Sequence, residues 1–483
     1  MNVTDLVRRI PKGLFIGGSW ESREQAFPVY NPATGEVIAE VADASATDGL
    51  AALDAAVAVR EQWAATEPRV RGELLRAAYT RIHERADDFA WTMTLEMGKP
   101  LAEAHGEVNY GAEFFRWFSE EAVRIDGRYA VAPSGRARIL TMKQPVGPVY
   151  AITPWNFPLA MGTRKIGPAL AAGCTVVVKP ASATPLTTLL LMDVLAEVGL
   201  PAGVVNCVTT SRSGAVSAPL LADPRLRKLT FTGSTEVGRG LLAQAADRVL
   251  RTSMELGGNA PFLVLPSADL DRAVAGAVAA KMRNIGEACT AANRFLVHAS
   301  VAAEFSTRLA DALAAMTVGD GTRDGVQVGP LIDEDAVARV EGLIADAVGK
   351  GARVLTGGAR VDGPGSFLQP TVLGGVSADA RVMTEEIFGP VAPVTTFETL
   401  DEAVALANGS EFGLIAYVYG QDLDEALSVV ERLETGMVGL NSGVVSNPAA
   451  PFGGVKSSGL GREGSYEGIE EYLETKYVGV GLA

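Results

Sequence analysis

From about residue 145 onward, short runs of β-branched residues alternate with longer Ala- and Leu-rich stretches whose apolar positions recur at helical spacing. That alternation predicts an α/β fold, because parallel strands covered by helices on both faces read as short continuous apolar runs. Candidate strands are Val146 to Ile152, Thr175 to Lys179, Val204 to Val208 and Lys228 to Phe231, each leading into a helical segment or a helix start, a run of βαβ units. A second series starts near Pro261 with PFLVL and a helix from about Asp269. It continues through Ala392 to Phe397, Gly413 to Tyr419 and Met437 to Asn441. Before residue 120 the pattern is helical over Thr47 to Ala65, Arg69 to Arg85 and Asp87 to Met97. Two segments fit neither body: GRYAVAPSGRARILTMK (Gly127 to Lys143) alternates like a hairpin, and Tyr477 to Leu482 reads as a short apolar strand. Unpaired apolar edges aggregate, so both are expected to form an oligomerisation flap where subunits pair strands. The expected division is residues 1–125 with 145–256, residues 257–468, and a flap of 126–144 with 469–483, the boundary falling near Gly257 and Gly258.

Charge narrows the partners. The chain of 483 residues carries 42 Lys and Arg against 57 Asp and Glu, a net −15. A broad electrostatic grip on nucleic acid or an anionic membrane is therefore not expected, and an anionic ligand needs a local pocket. The run Ile166 to Val178 is broken by Pro168 and Gly173 and is too short to cross a bilayer, which takes about 20 residues. The opening MNVTDLVRRIPKGLFIGG does not read as a signal peptide, so the expected location is the cytoplasm. Cys174, Cys207 and Cys289, with His83, His105 and His298, are the only soft side chains, and none stands at metal-ligand spacing from another. No metal is expected. Any chemistry must draw on a lone cysteine, hydroxyls, lysines and carboxylates.

Five strings carry candidate chemistry. FTGSTEVGR (Phe231 to Arg239) runs from a strand through Gly233 into a helix with Ser234 at its cap. Free amides there suit a pyrophosphate, although a plain turn and cap explains the string equally well. The literal G-x-G-x-x-G at Gly459, Gly461 and Gly464 has no βαβ unit around it and is not read as a dinucleotide fingerprint. In KPASATPLT, Lys179 ends a strand where open sheets bind nucleotides. Ser182 stands where a carboxylate would repel a 2′-phosphate, which tilts the expected cofactor toward NADP while leaving NAD possible. Cys289 in GEACTAANRF lies in a small-residue, polar stretch with room for a reactive thiolate, unlike Cys174 and Cys207, which sit beside or within β-branched strands as core fillers. Glu255 in MELGGNAPF precedes paired glycines that could aim a carboxylate into a cleft, though alone it reads as a solvated charge. Asn156 in TPWNFPL offers a buried amide for a developing oxyanion.

Together these strings, with EEIFGPV (Glu385 to Val391) and PFGGVKSSGLGREG, resemble the aldehyde dehydrogenase superfamily along nearly the whole chain. The resemblance implies a Rossmann-like parallel-sheet cofactor domain, a second α/β catalytic domain and a small β oligomerisation flap, assembled as a homodimer or homotetramer. It implies that Cys289 is the nucleophile, Glu255 the general base, and Asn156 with the Cys289 backbone N–H the oxyanion hole. Lys179 and Glu386 would hold the riboses and Ser234 the pyrophosphate. Trp155 and Phe388 would line the nicotinamide region, with Thr153, Ser182, Gly233 and Gly257 completing the cofactor site. The strings KMRNIGEAC, NSGVVSNPAAPFGG and SYEGIEEYLETKYVGVGL are similar to the succinate-semialdehyde dehydrogenase branch, and by that likeness Arg164, Arg283 and Ser446 would bind the far carboxylate of the substrate. Without the likeness both arginines read as helix-surface cations. Some members of the branch carry a second cysteine two positions after the nucleophile. Here that position is Ala291, so no dithiol switch is expected. The expected reaction is oxidation of a short ω-carboxy aldehyde with reduction of NADP. The alternatives are a substrate one methylene longer, a cofactor-free thiol esterase, or a relative that kept the fold without the reaction.

Overall fold

The computed structural model describes residues 3–481; Met1, Asn2, Leu482 and Ala483 lie outside the described residues, and with Leu482 the end of the expected terminal strand. Two large sheets organise the chain. In the first, the strands Val205–Cys207, Val176–Lys179, Val149–Ile152, Lys228–Thr232 and Arg251–Glu255 lie side by side and parallel. Antiparallel strands close both edges, Leu14–Ile16 with Ser19–Glu21 on one side and Gly459–Leu460 on the other. The second sheet runs Arg353–Thr356, Thr371–Gly374, Val391–Phe397, Ala292–His298, Ala260–Val264, Ile415–Tyr419, Met437–Leu440, all parallel except the first.

The apolar runs form these strands because helices bury them on both faces. Val176, Val177 and Val178 are fully buried, as are Phe262, Leu263 and Val264. Val146 to Ile152 shortens to Val149–Ile152, since Pro148 has no N–H to give the ladder. Gly413 to Tyr419 divides: Phe412–Gly413 pairs antiparallel with Val455–Lys456, and only Ile415–Tyr419 joins the main sheet. The early helices are Ala46–Ala65, Pro68–Glu84, Ala86–Met97 and Leu101–Glu121. The first begins in a capping box, Ser45 accepting from the Asp48 amide while Asp48 returns the bond.

The two segments expected as free edges pair with each other. Leu473–Gly481 runs antiparallel to Ala137–Pro145, which also pairs with Arg128–Val131. The result is a three-stranded sheet whose outer strands are still open. Gly459–Leu460 comes from late in the chain yet borders Arg251–Glu255 of the first sheet, with Gly459 opposite Glu255. This crossover brings GLGREG beside the carboxyl end of a parallel strand without building a βαβ unit there.

Candidate active site

A cavity of about 250 Å³ opens at the carboxyl ends of the first sheet, lined among others by Trp155, Asn156, Gly233, Ser234, Glu255, Gly257, Cys289, Glu386 and Phe388. Sequence-distant strings thus meet at the place where open α/β sheets bind ligands. Cys289 enters from the loop between the tight turn Arg283–Gly286 and the strand Ala292–His298, and is the only partly exposed cysteine; Cys174 and Cys207 are sealed in the core. The turn is strained, with Asn284 at φ 53° and Ile285 at φ 63°, values that non-glycine residues adopt only when their surroundings hold them. At Gly258 a β-carbon would sit 2.6 Å from the Cys289 carbonyl oxygen, so the paired glycines are what let the thiol loop come close.

Glu255 ends its strand, pinned where its carbonyl accepts the Gly233 N–H at 3.1 Å and where the Leu256 N–H donates to the Ser458 carbonyl at 2.9 Å. Its side chain is buried, and Oε2 has no protein partner. Burial pushes its carboxyl well above the ordinary range; the charge of Glu463 pushes the same way, against the opposing pull of Arg164 and Lys165. Burial also pushes the Cys289 thiol up to about 12, Arg164 opposing the shift and Glu255 adding to it. The Asn156 carboxamide donates to the Glu287 carbonyl at 2.9 Å and accepts the Phe157 N–H at 3.1 Å. A thiol that can add to a carbonyl, a carboxyl that can accept a proton and a carboxamide that can donate to an oxyanion thus meet at one cavity.

The other side of the cavity can hold a dinucleotide. Ser234 caps the helix Thr235–Ala246 by accepting from the Val237 amide, and that helix start presents amide donors to an anion. Glu386 accepts the Gly258 N–H at 3.1 Å, and burial raises it to about 7. A β-carbon at Gly257 would lie 2.8 Å from Glu386 Oε2, so the carboxylate reaches its place only over a glycine. Phe388 is held at φ 48°, with Arg339 donating to the carbonyls of Glu386 at 3.1 Å and Ile387 at 2.8 Å. Its ring meets Trp155 edge-on with centroids 5.4 Å apart. Thr153, Lys179 and Ser182 stand outside the cavity wall. The Thr153 hydroxyl is buried without a protein partner. Lys179, lowered to about 8 by burial, donates to the Pro180 carbonyl at 3.0 Å and the Ser213 hydroxyl at 3.1 Å. Ser182 is exposed in the turn that follows.

The three residues expected to hold a far carboxylate are not equivalent. Arg283 donates to Ser446 Oγ at 2.8 Å and lies over the rings of Tyr110 and Phe157, making no ion pair among the described residues. None of the three lines the cavity, but Arg164 is 0% exposed and ion-paired with Glu463 over the Phe452 ring. A guanidinium taken out of water needs a counter-charge, and Glu463, which also pairs with Lys165, supplies it. The sequence reading missed Glu463 because GLGREG points to no dinucleotide site. It missed Lys99 and Glu107, a buried ion pair behind Asn156, although Glu107 falls on the apolar stripe of Ala104, Val108 and Gly111, a visible signal.

Fold and cavity together define a class, the cofactor-dependent enzymes that work through a cysteine thiol. The chain belongs to the aldehyde dehydrogenase family, described as such and matched over residues 20–478. It is 59% identical over 444 residues to a succinate-semialdehyde dehydrogenase of Paenarthrobacter nicotinovorans, covering 92% of this chain and 99% of that one. It is 49% identical to a glutarate-semialdehyde dehydrogenase of Pseudomonas aeruginosa, covering 97% of each. The crystal structure of an E. coli NADP-dependent enzyme superposes with a TM-score of 0.97 at 49% identity, covering 100% of both chains.

Proposed function

We propose that this protein oxidises a short aldehyde bearing a distal carboxylate, succinate semialdehyde to succinate, with NADP as the cofactor. The observation that carries the substrate class is Arg283, a half-buried cation tied to a hydroxyl instead of a carboxylate, whose charge acts on the Cys289 thiol. A planar guanidinium beside Ser446 suits a carboxylate tail. The relatives named for succinate and glutarate semialdehydes support the same class.

Cys289 is the proposed nucleophile. The proton of its thiol leaves to solvent, the charges of Arg164 and Arg283 favouring the thiolate against burial; Glu255, raised by burial, is kept for the water, as a stronger base than a solvated carboxylate. Sulfur adds to the carbonyl carbon, and the resulting oxyanion is taken by the Asn156 carboxamide and the Cys289 backbone N–H. NADP, when bound, supplies the acceptor for the aldehyde hydrogen; Ser234, Glu386, Lys179 and Thr153 are the residues proposed to hold it, with Gly233 and Gly257 leaving it space and Trp155 and Phe388 flanking the ring. Cys289 is left as a thioester. Glu255 then deprotonates a water that hydrolyses it, releasing the acid and the thiol.

Exposed Ser182 leaves space and a donor for a 2′-phosphate, which supports NADP over NAD. Three free cysteines, the proposed nucleophile among them, fit a reducing compartment, so we place the enzyme in the cytoplasm. Tyr129 and Tyr477, 68% and 63% exposed on the open strands of the small sheet, support a homodimer or homotetramer closed through that flap. The two-sheet arrangement supports the domain division at 256/257. One assay tests the substrate and cofactor: succinate semialdehyde, glutarate semialdehyde and butanal, each with NADP and NAD. The expected result is highest kcat/KM for succinate semialdehyde with NADP. Equal efficiency for butanal would overturn the role of Arg283, and preference for the longer acid would make the glutarate reading the better one.

A further inference from the structure

The backbone carbonyl of Asn156 accepts two hydrogen bonds from residues that do not line the cavity, Lys99 Nζ at 2.8 Å and Asn284 Nδ2 at 3.1 Å. Lys99 and its ion-pair partner Glu107 are both 1% exposed. The same lysine lies 4.2 Å from the centroid of the Phe157 ring. Glu107 Oε1 accepts the N–H groups of Leu159 at 2.9 Å and Ala160 at 3.1 Å, at the start of the helix Ala160–Ala172. One buried pair therefore grips the loop that carries Asn156 from both ends, its carbonyl through the lysine and its last amides through the glutamate. Asn284 completes the frame by donating to the Glu287 carbonyl at 2.9 Å, the acceptor that also takes the Asn156 carboxamide. Glu287 lies two residues before Cys289. The frame thus fixes the distance between the carboxamide and the thiol loop.

A buried ion pair is a poor device for stability, since a well-packed apolar pair of similar volume often serves a fold as well. We propose that Lys99 and Glu107 are positioning residues for the reaction, holding Asn156 where the oxyanion develops. The proposal rests on the reading of Asn156 as the oxyanion donor. A donor acts on a transition state only if it is already in place, so slack in this loop lowers kcat more than it raises KM.

The test replaces the pair as a unit, Lys99→Met with Glu107→Leu, which leaves no lone buried charge. The expected result is a kcat lower by about 10- to 100-fold, with aldehyde KM and NADP affinity each changed by less than about twofold and an unaltered thermal midpoint. Asn156→Ala alone is expected to lower kcat by about 10²- to 10³-fold, and adding the pair substitution to it should cost less than about twofold more, because both act on one donor. Full kcat in the pair variant, or a loss that multiplies with that of Asn156→Ala, would overturn the proposal. Should the apolar pair not fold, Lys99→Gln with Glu107→Gln is read in the same cycle. A loss shared with Asn156→Ala supports the proposal, and a loss that multiplies, or none, overturns it. Full activity of Asn156→Ala by itself would sink the oxyanion assignment and with it the proposal, an outcome separate from any failure of the pair.

Discussion

Cys207 and Cys289 make an instructive pair. Burial pushes both thiols up to about 12, so proton affinity does not tell them apart. Their surroundings do. Cys207 is the last residue of the strand Val205–Cys207, sealed at 0% exposure among Val176, Val178 and Val205. Cys289 sits on a strained loop, partly exposed, at a cavity that also holds Glu255 and Asn156. A hydrophobic site that raises a thiol merely silences it; the same rise next to a buried carboxyl and a carboxamide donor is where we propose a nucleophile, a base for water and an oxyanion site.

The largest effect should come from removing the one sulfur and sparing the others. Cys289→Ala is expected to lower NADPH formation by at least about 10⁴-fold while NADP still binds. Cys207→Ala should leave turnover within about twofold and cost only about 1 kcal/mol in denaturant unfolding, the transfer value of a small apolar group. Glu255→Gln separates the two half-reactions. Hydrolysis should slow by about 10²- to 10⁴-fold, and an acyl-enzyme should accumulate in rapid-quench experiments. Arg283→Met should raise KM for succinate semialdehyde by about 10- to 100-fold, the size of a lost charged hydrogen bond, with butanal unaffected. The pH profile sharpens the role of Glu255. The base must be deprotonated, its carboxyl is held well above the ordinary range, and kcat should therefore fall as pH drops through that raised value, with the acid limb flattened in Glu255→Gln. The smallest expected effect is a shift of about tenfold in cofactor preference toward NAD for Ser182→Glu, read from the ratio of kcat/KM values.

The loops that line the cavity were readable because their chemistry is local. Glycines beside a carboxylate, a lone cysteine among small residues and a serine at a helix start carry their meaning within a few residues, and Gly257, Cys289 and Ser234 all face one space. The strand runs were readable for the same reason, since burial on both faces writes itself into β-branched stretches such as Val176–Lys179. The partners of the charges were not. Whether Arg164 meets solvent or Glu463, and whether Lys99 meets Glu107, is decided by how a late edge strand and an early helix dock. The pairing of Leu473–Gly481 with Ala137–Pro145 likewise joins ends separated by most of the chain, and no local pattern encodes it.

The most direct test is to quench Glu255→Gln during turnover with succinate semialdehyde and NADP and map the modified peptide by mass spectrometry. A succinyl group on the peptide bearing Cys289 is the expected result. A succinyl group on the peptide of Cys174 or Cys207, or an unmodified protein that still makes NADPH, would contradict the account.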